Sequence, residues 1–132
     1  AEKIFYLGHK PAIKTALTAR ENLQWYCRGQ GWEPAGIDSA LEQAGLGDYE
    51  DERCHSLSAG QQRRVGLARL YLSDASLWLL DEPFTSIDTP GTRNLAACLQ
   101  RHAGTGGAIV VTSHHALPLD YPLRRVSLEP AP

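Results

Sequence analysis

Three short apolar runs punctuate a chain whose remaining hydrophobic positions recur at helical spacing. Ile4-Phe5-Tyr6-Leu7, Leu77-Trp78-Leu79-Leu80 and Ala108-Ile109-Val110-Val111 have the length of strands rather than helices. The second and third read as buried, and the unbroken apolar character of the second is that of a parallel strand covered on both faces. Leu123 to Leu128 reads as a last short strand before the proline-rich end Pro130-Ala131-Pro132.

Helix signals lie between these runs. Thr18 and Glu21 form a capping-box pattern that opens a helix through about Cys27, with Gly29 and Gly31 to end it. Asp38 can cap a second, with Ala40, Leu41 and Ala44 inward and Gly45 or Gly47 as terminator. The acidic run Asp48 to Glu52 reads as a solvated loop. Ser58 and Gln61 repeat the capping box; Val65, Ala68 and Leu72 face inward, and Gln62, Arg63, Arg64 and Arg69 face water or a partner. Thr89-Pro90 is an N-cap followed by proline at the first helical position, opening a helix whose apolar stripe is Leu95, Cys98 and Leu99. It should stop before Gly104-Thr105-Gly106-Gly107. Strands alternating with helices in this way predict an α/β protein with a parallel sheet.

Composition narrows the class. The 132 residues suffice for one core, and a net charge of −2 supplies no basic footprint for nucleic acid. Cys27, Cys54 and Cys98 are too dispersed for a C-x-x-C site and read as reduced core thiols. No apolar run approaches the roughly 20 residues of a membrane helix, so no direct membrane insertion is expected. The 132 residues carry no signal-peptide pattern, repeat or low-complexity tract.

The candidate chemistry sits at element ends. A helix starting at Ser58 presents uncommitted N–H groups and a positive dipole end, and Gly60 has no Cβ to obstruct an approaching anion, so this is a phosphate-binding end. Asp81 and Glu82 close the second apolar run, where ligands of open α/β sheets bind. Two acids there suit one holding Mg²⁺ and one polarising an attacking water beside a phosphate. The third run ends in Thr112-Ser113-His114-His115. Adjacent residues of an extended chain point to opposite sides, so one histidine can easily face the site.

In this order and spacing the motifs resemble the ATP-binding subunits of ABC transporters. Leu57-Ser58-Ala59-Gly60-Gln61 is similar to the LSGGQ-type signature, with Ala59 where glycine is usual, and Leu77 to Pro83 resembles the Walker B strand with its catalytic glutamate. Ser86-Ile87-Asp88 resembles the D-loop and Thr112-Ser113-His114 the switch histidine. The resemblance implies the P-loop NTPase (ABC ATPase) fold: a parallel sheet core with a helical subdomain, its N-terminal part missing. About residues 9–72 then form the Q-loop, helical subdomain and signature helix, and about 73–132 the Walker B, D-loop and switch-histidine part of the core.

No G-x-x-x-x-G-K-[ST] phosphate loop occurs. The nearest imitation, Gly8 to Thr15 (GHKPAIKT), has Ile13 where the second glycine belongs and Pro11 removing a donor, so it reads better as the Q-loop. Residues 8–26, GHKPAIKTALTARENLQWY, closely resemble the ATP-binding subunits of the cytochrome c maturation (haem exporter) system, with His9 where most ABC ATPases carry glutamine.

That resemblance implies ATP and Mg²⁺ as cofactors, a homodimer with a second ATP-binding subunit, integral membrane subunits of the maturation complex as partners, and a peripheral place on the cytoplasmic face of the bacterial inner membrane. It implies Glu82 as general base and His114 on the γ-phosphate, with Asp81 on the metal. It further implies Ser58, Ala59, Gly60 and Gln61 on the nucleotide of the other subunit, Asp88 communicating across the dimer, and His9 linking the site to the membrane subunit. Without a phosphate loop the chain alone is expected to be inactive. An ATPase subunit of another ABC exporter, and a non-catalytic ABC-like interaction module, remain alternative readings.

Overall fold

A computed structural model describes residues 3–128. Strand β1 (Ile4–Leu7) leads through an irregular loop to helix α1 (Ala19–Gln30), and a 3-10 turn at Pro34–Gly36 runs into α2 (Ile37–Gln43). A second 3-10 turn, Cys54–Ser56, precedes α3 (Ala59–Ala68), which tightens into 3-10 geometry at Arg69–Tyr71. Strand β2 (Leu77–Asp81), α4 (Thr89–Gly104) and β3 (Ala108–Thr112) follow. The three strands form one parallel sheet in the order β1-β2-β3, with Ile4 opposite Leu77 and Leu77 opposite Ala108.

Local signals account for most boundaries. Both capping boxes form: Thr18 Oγ1 accepts the Glu21 amide and Glu21 accepts the Thr18 amide, and Ser58 and Gln61 make the same exchange. Helix α1 ends on Gly31 at φ 72°, a left-handed conformation open to glycine. Asp38 lies inside the first turn of α2, not at its cap, and pairs with Arg20. Helix α4 is capped one residue earlier than its Thr-Pro pair suggests: Asp88 Oδ1 accepts the Gly91 amide at 2.8 Å, and Pro90 follows inside the first turn.

The acidic run is more than a solvated loop. The carbonyls of Glu52 and Glu50 accept the amides of Ala19 and Arg20, satisfying free donors at the start of α1, and Asp51 pairs with Arg20 at 3.1 Å. Buried Asn22, 1 % exposed, accepts the Lys14 amide at 2.7 Å and donates to the carbonyls of Lys14 and Thr18, fastening the loop after β1 to α1.

The sheet is covered on one face. Phe5, Leu7, Trp78 and Leu80 enter the core with Leu23, Leu41, Leu70, Leu95 and Leu99, whereas Leu77 and Leu79 are half-buried and Ile4, Tyr6 and Val110 are exposed. The burial expected on both faces of β2 and in β3 is therefore corrected. Apolar character alone does not distinguish a strand sandwiched between two layers from one backed by a single layer. Trp78 stacks on His102 with centroids 3.7 Å apart, and that ring leaves no room for a Cβ on Gly107.

Arg69 also departs from expectation. It is buried, its guanidinium 4.6 Å from the Tyr26 ring centroid and 5.3 Å from that of Phe5, with Nε donating to the Gly66 carbonyl. The i, i+4 relation to Val65 places it on the inward face, and the two rings receive its charge. Residues 123–128 form no strand and are exposed. Pro122 offers no amide to a neighbouring ladder, and none of the three strands pairs with these residues. Pro130 to Pro132 lie outside the described residues.

Candidate functional site

The C-terminal ends of β2 and β3 lie side by side, Asp81 opposite Thr112, and both carboxylates of the Asp81-Glu82 pair are used there. Thr112 Oγ1 donates to Asp81 Oδ1 at 2.5 Å. Glu82 leaves the strand with φ 50°, a left-handed conformation costly for a residue with a Cβ. Four residues hold it there, one of them Thr85, whose amide donates to the Glu82 carbonyl at 3.2 Å. Its amide donates to the Thr112 carbonyl at 3.1 Å, its carboxylate accepts the His114 amide at 2.9 Å, and its carbonyl accepts from the Arg63 guanidinium. Strained backbone of this kind persists where the surroundings over-determine it, and such sites are often functional.

His114 stands beside Glu82, its Nε2 3.5 Å from Glu82 Oε1, with the imidazole 90 % exposed. His115 is exposed and engages the loop through its backbone, its amide donating to Ser113 Oγ and its carbonyl accepting from the same hydroxyl. Asp81, Glu82, Thr112 and His114 thus form one cluster. The His9 side chain is exposed, while its carbonyl accepts from Arg63, which brings the loop after β1 to the same place.

The Ser58–Gln61 cap forms a separate half. Ser58 Oγ accepts the Gln61 amide at 3.1 Å and keeps its own proton to donate. The amides of Ala59 and Gly60 have no hydrogen bond among the described residues, and nothing lies within 4 Å of a Cβ placed on Gly60. Helix α3 therefore offers free donors, a positive end and open space to an anion. No hydrogen bond or ion pair links this cap to Asp81, Glu82 or His114. Asp88 is likewise outside the cluster, its carboxylate engaged in capping α4.

Among the described residues there is no group of three or more His, Cys, Asp or Glu able to hold a metal by themselves. Mg²⁺ is commonly held by one or two carboxylates completed by waters and substrate phosphates, and Asp81, with one oxygen bound to Thr112 and the other free of hydrogen bonds, suits that arrangement. The sequence does not mark Arg63 as a site residue. Its acceptors are backbone carbonyls, which have no residue signature.

A profile described as ABC transporter matches residues 1–85. The chain is 51% identical over 117 residues to the cytochrome c biogenesis ATP-binding export protein CcmA of Pseudomonas syringae pv. tomato, covering 86% of this chain and 54% of that protein. Against the protein of the same name from Sodalis glossinidius it is 48% identical over 131 residues, covering 98% of this chain and 62% of the relative. The chain thus spans little more than half the length of these relatives. Among solved structures, the ATP binding subunit of an ABC transporter superposes with a TM-score of 0.73 at 20% identity over 84% of this chain and 48% of that one. A dimeric ATP-binding cassette in a post-hydrolysis state with ADP and phosphate gives 0.73 at 24% over 86% and 53%. These likenesses share the α/β fold with its parallel sheet.

Proposed function

This chain belongs to the ABC transporter family, and on that premise we propose that it is part of an ATP-hydrolysing subunit that serves cytochrome c biogenesis, coupling turnover to a membrane partner. The observation that carries the proposal is the cluster at the ends of β2 and β3, where a strained Glu82 is held between Thr112, Arg63 and His114. The identity to the named biogenesis proteins supports the pathway.

In this reading Glu82 accepts a proton from, or orients, the water that attacks the γ-phosphate. Asp81, fixed by Thr112, would hold Mg²⁺, whose chemistry when bound is neutralisation of charge on the phosphate oxygens. The exposed His114 imidazole reaches toward the γ-phosphate as a hydrogen-bond partner. The free amides of Ala59 and Gly60, with the Ser58 hydroxyl and Gln61 amide group, bind the nucleotide held by a second subunit. No hydrogen bond or ion pair joins these cap groups to the Glu82 carboxylate within one chain, which supports that division. Asp88, at the entry to α4, faces the dimer contact, and His9 relays the state of the site to the membrane subunit at the cytoplasmic face. Catalysis is then mostly positioning and charge stabilisation.

The test is made in the assembled complex. Glu82→Gln keeps the shape and an acceptor for the His114 amide but removes the charge, so nucleotide binding is retained while turnover falls by about a hundredfold or more. Ser58→Arg fills the space above the cap, leaving ATP binding by one subunit intact and abolishing ATP-induced dimerisation. Wild-type turnover in the first variant refutes the role of Glu82, and unimpaired dimerisation in the second refutes the shared site.

A further inference from the structure

We infer that Arg63 is a positioning residue that locks the catalytic carboxylate and the His9 loop to the signature helix as one unit. The inference rests on the reading of Glu82 given above. Arg63 lies one residue beyond Gln62 and two beyond the signature cap, half-buried on α3. Its guanidinium spans three backbone acceptors from two other parts of the chain. Nη1 donates to the His9 carbonyl at 3.1 Å, and Nη2 donates to the carbonyls of Asp81, at 3.3 Å, and Glu82.

The left-handed turn at Glu82 ends the β2 ladder at Asp81, so at a partly buried position the Asp81 carbonyl stands at the end of the strand and the Glu82 carbonyl beyond it, the latter also accepting the Thr85 amide at 3.2 Å. A planar cation with several fixed donors satisfies both from one side. Lysine would offer a single point of charge. The loop contributes to the same contact: Pro11 lies against α3, 3.4 Å from where a Cβ on Gly66 would stand, so the His9 carbonyl is presented to the helix at close range. Arg63 makes no ion pair with a carboxylate, so its charge is committed to backbone dipoles.

The consequence is mechanical. Any movement of the signature cap toward a neighbouring subunit carries the Glu82 backbone and the His9 loop with it. Without Arg63 the Glu82 carbonyl keeps only its bond from the Thr85 amide in the same turn, and the Asp81–Glu82 backbone loses its tie to α3. Nucleotide contacts made by side chains and by the cap amides are untouched, so the loss falls on turnover rather than on binding.

The experiment measures kcat, KM for MgATP, nucleotide affinity and thermal midpoint in the complete assembled complex. Arg63→Gln is expected to lower kcat about tenfold or more, as small misplacements of a catalytic group do, with KM and nucleotide affinity within twofold. Arg63→Lys is expected to fall between it and the wild type, and serves alone if the glutamine variant does not fold. In a Glu82→Gln background, Arg63→Gln is expected to cause no further fall, because it acts through Glu82. Wild-type kcat in both variants, a parallel loss of kcat and nucleotide affinity with a lowered thermal midpoint, or a further tenfold fall in the double variant each overturns the inference. Wild-type turnover of Glu82→Gln alone instead refutes the reading on which it rests.

Discussion

Replacing Glu82 by alanine and by glycine isolates the strain at the end of β2. Both variants lose the acceptor for the His114 amide and the 3.5 Å approach of its imidazole, so those losses cancel between them. What differs is a Cβ at φ 50°. At an unstrained position alanine exceeds glycine by about 0.4–1 kcal/mol because it narrows the unfolded ensemble. A left-handed L-residue costs roughly 1–2 kcal/mol. The order at residue 82 is therefore expected to invert, with glycine the more stable by about 0.8 kcal/mol at the centre of the two ranges and by up to about 1.6 kcal/mol. Urea unfolding of the subunit, compared at equal slope, reads this as a shift in midpoint. Two controls accompany it. Gly104, at the end of α4 with open space around it and no positive φ, should gain about 0.4–1 kcal/mol on substitution by alanine. Gly106, at φ 95°, should lose stability. Alanine equal to or more stable than glycine at position 82, with the controls behaving as stated, refutes the claim that strain is stored there.

His9→Ala is expected to impair coupled turnover in the complex far more than ATP affinity, and His9→Gln to restore much of it, because an amide supplies the acceptor and donor that a neutral imidazole offers; wild-type turnover of His9→Ala removes the role. Cys27, Cys54 and Cys98 are buried and free, and burial is the main cause that raises each thiol above its ordinary value. Maleimide labelling should be slow in the native protein and fast in urea. Because the folded state holds these protons more tightly, stability is full below the ordinary thiol range, about 8.5, and declines as the pH rises above it. Rapid labelling of the native protein, or an unfolding midpoint that climbs with pH there, contradicts this.

Capping boxes and strand lengths were legible because both are local. Thr18 with Glu21, and Ser58 with Gln61, need nothing beyond one turn of helix to form. The cap of α4 was displaced by one residue because Asp88 and Thr89 are both competent caps, and proline is tolerated at either of the first two positions. The charge of Arg69 points it outward although its spacing from Val65 points it inward, and only the arrival of Tyr26 and Phe5 reveals what receives it. The bare face of the sheet was illegible for a related reason: Ile4, Tyr6 and Val110 are as apolar as the residues that are buried. Asp81, Glu82 and His114 are legible as strand-end residues, whereas Arg63 bonds carbonyls of remote segments and leaves no mark in the pattern.

The two halves of the candidate site differ in what they lack, and this bears on how two subunits would close under the proposed reading. At the carboxylate end every backbone donor and acceptor of Glu82 is occupied. At the cap, the amides of Ala59 and Gly60 are free and face open space. A buried donor left without a partner costs about 1–3 kcal/mol. Pressing a second subunit onto this cap with no anion between them would therefore cost about 2–6 kcal/mol for the two amides, whereas a phosphate group satisfies both and is favoured by the helix dipole. Closure is thus conditional on the phosphate that fills the gap, and loss of that phosphate restores the cost. Gly60→Pro, which removes one donor, lowers the cost of closing empty and weakens the gain from closing on nucleotide. Its dimerisation should become less dependent on ATP, an outcome opposite to the steric block expected from Ser58→Arg.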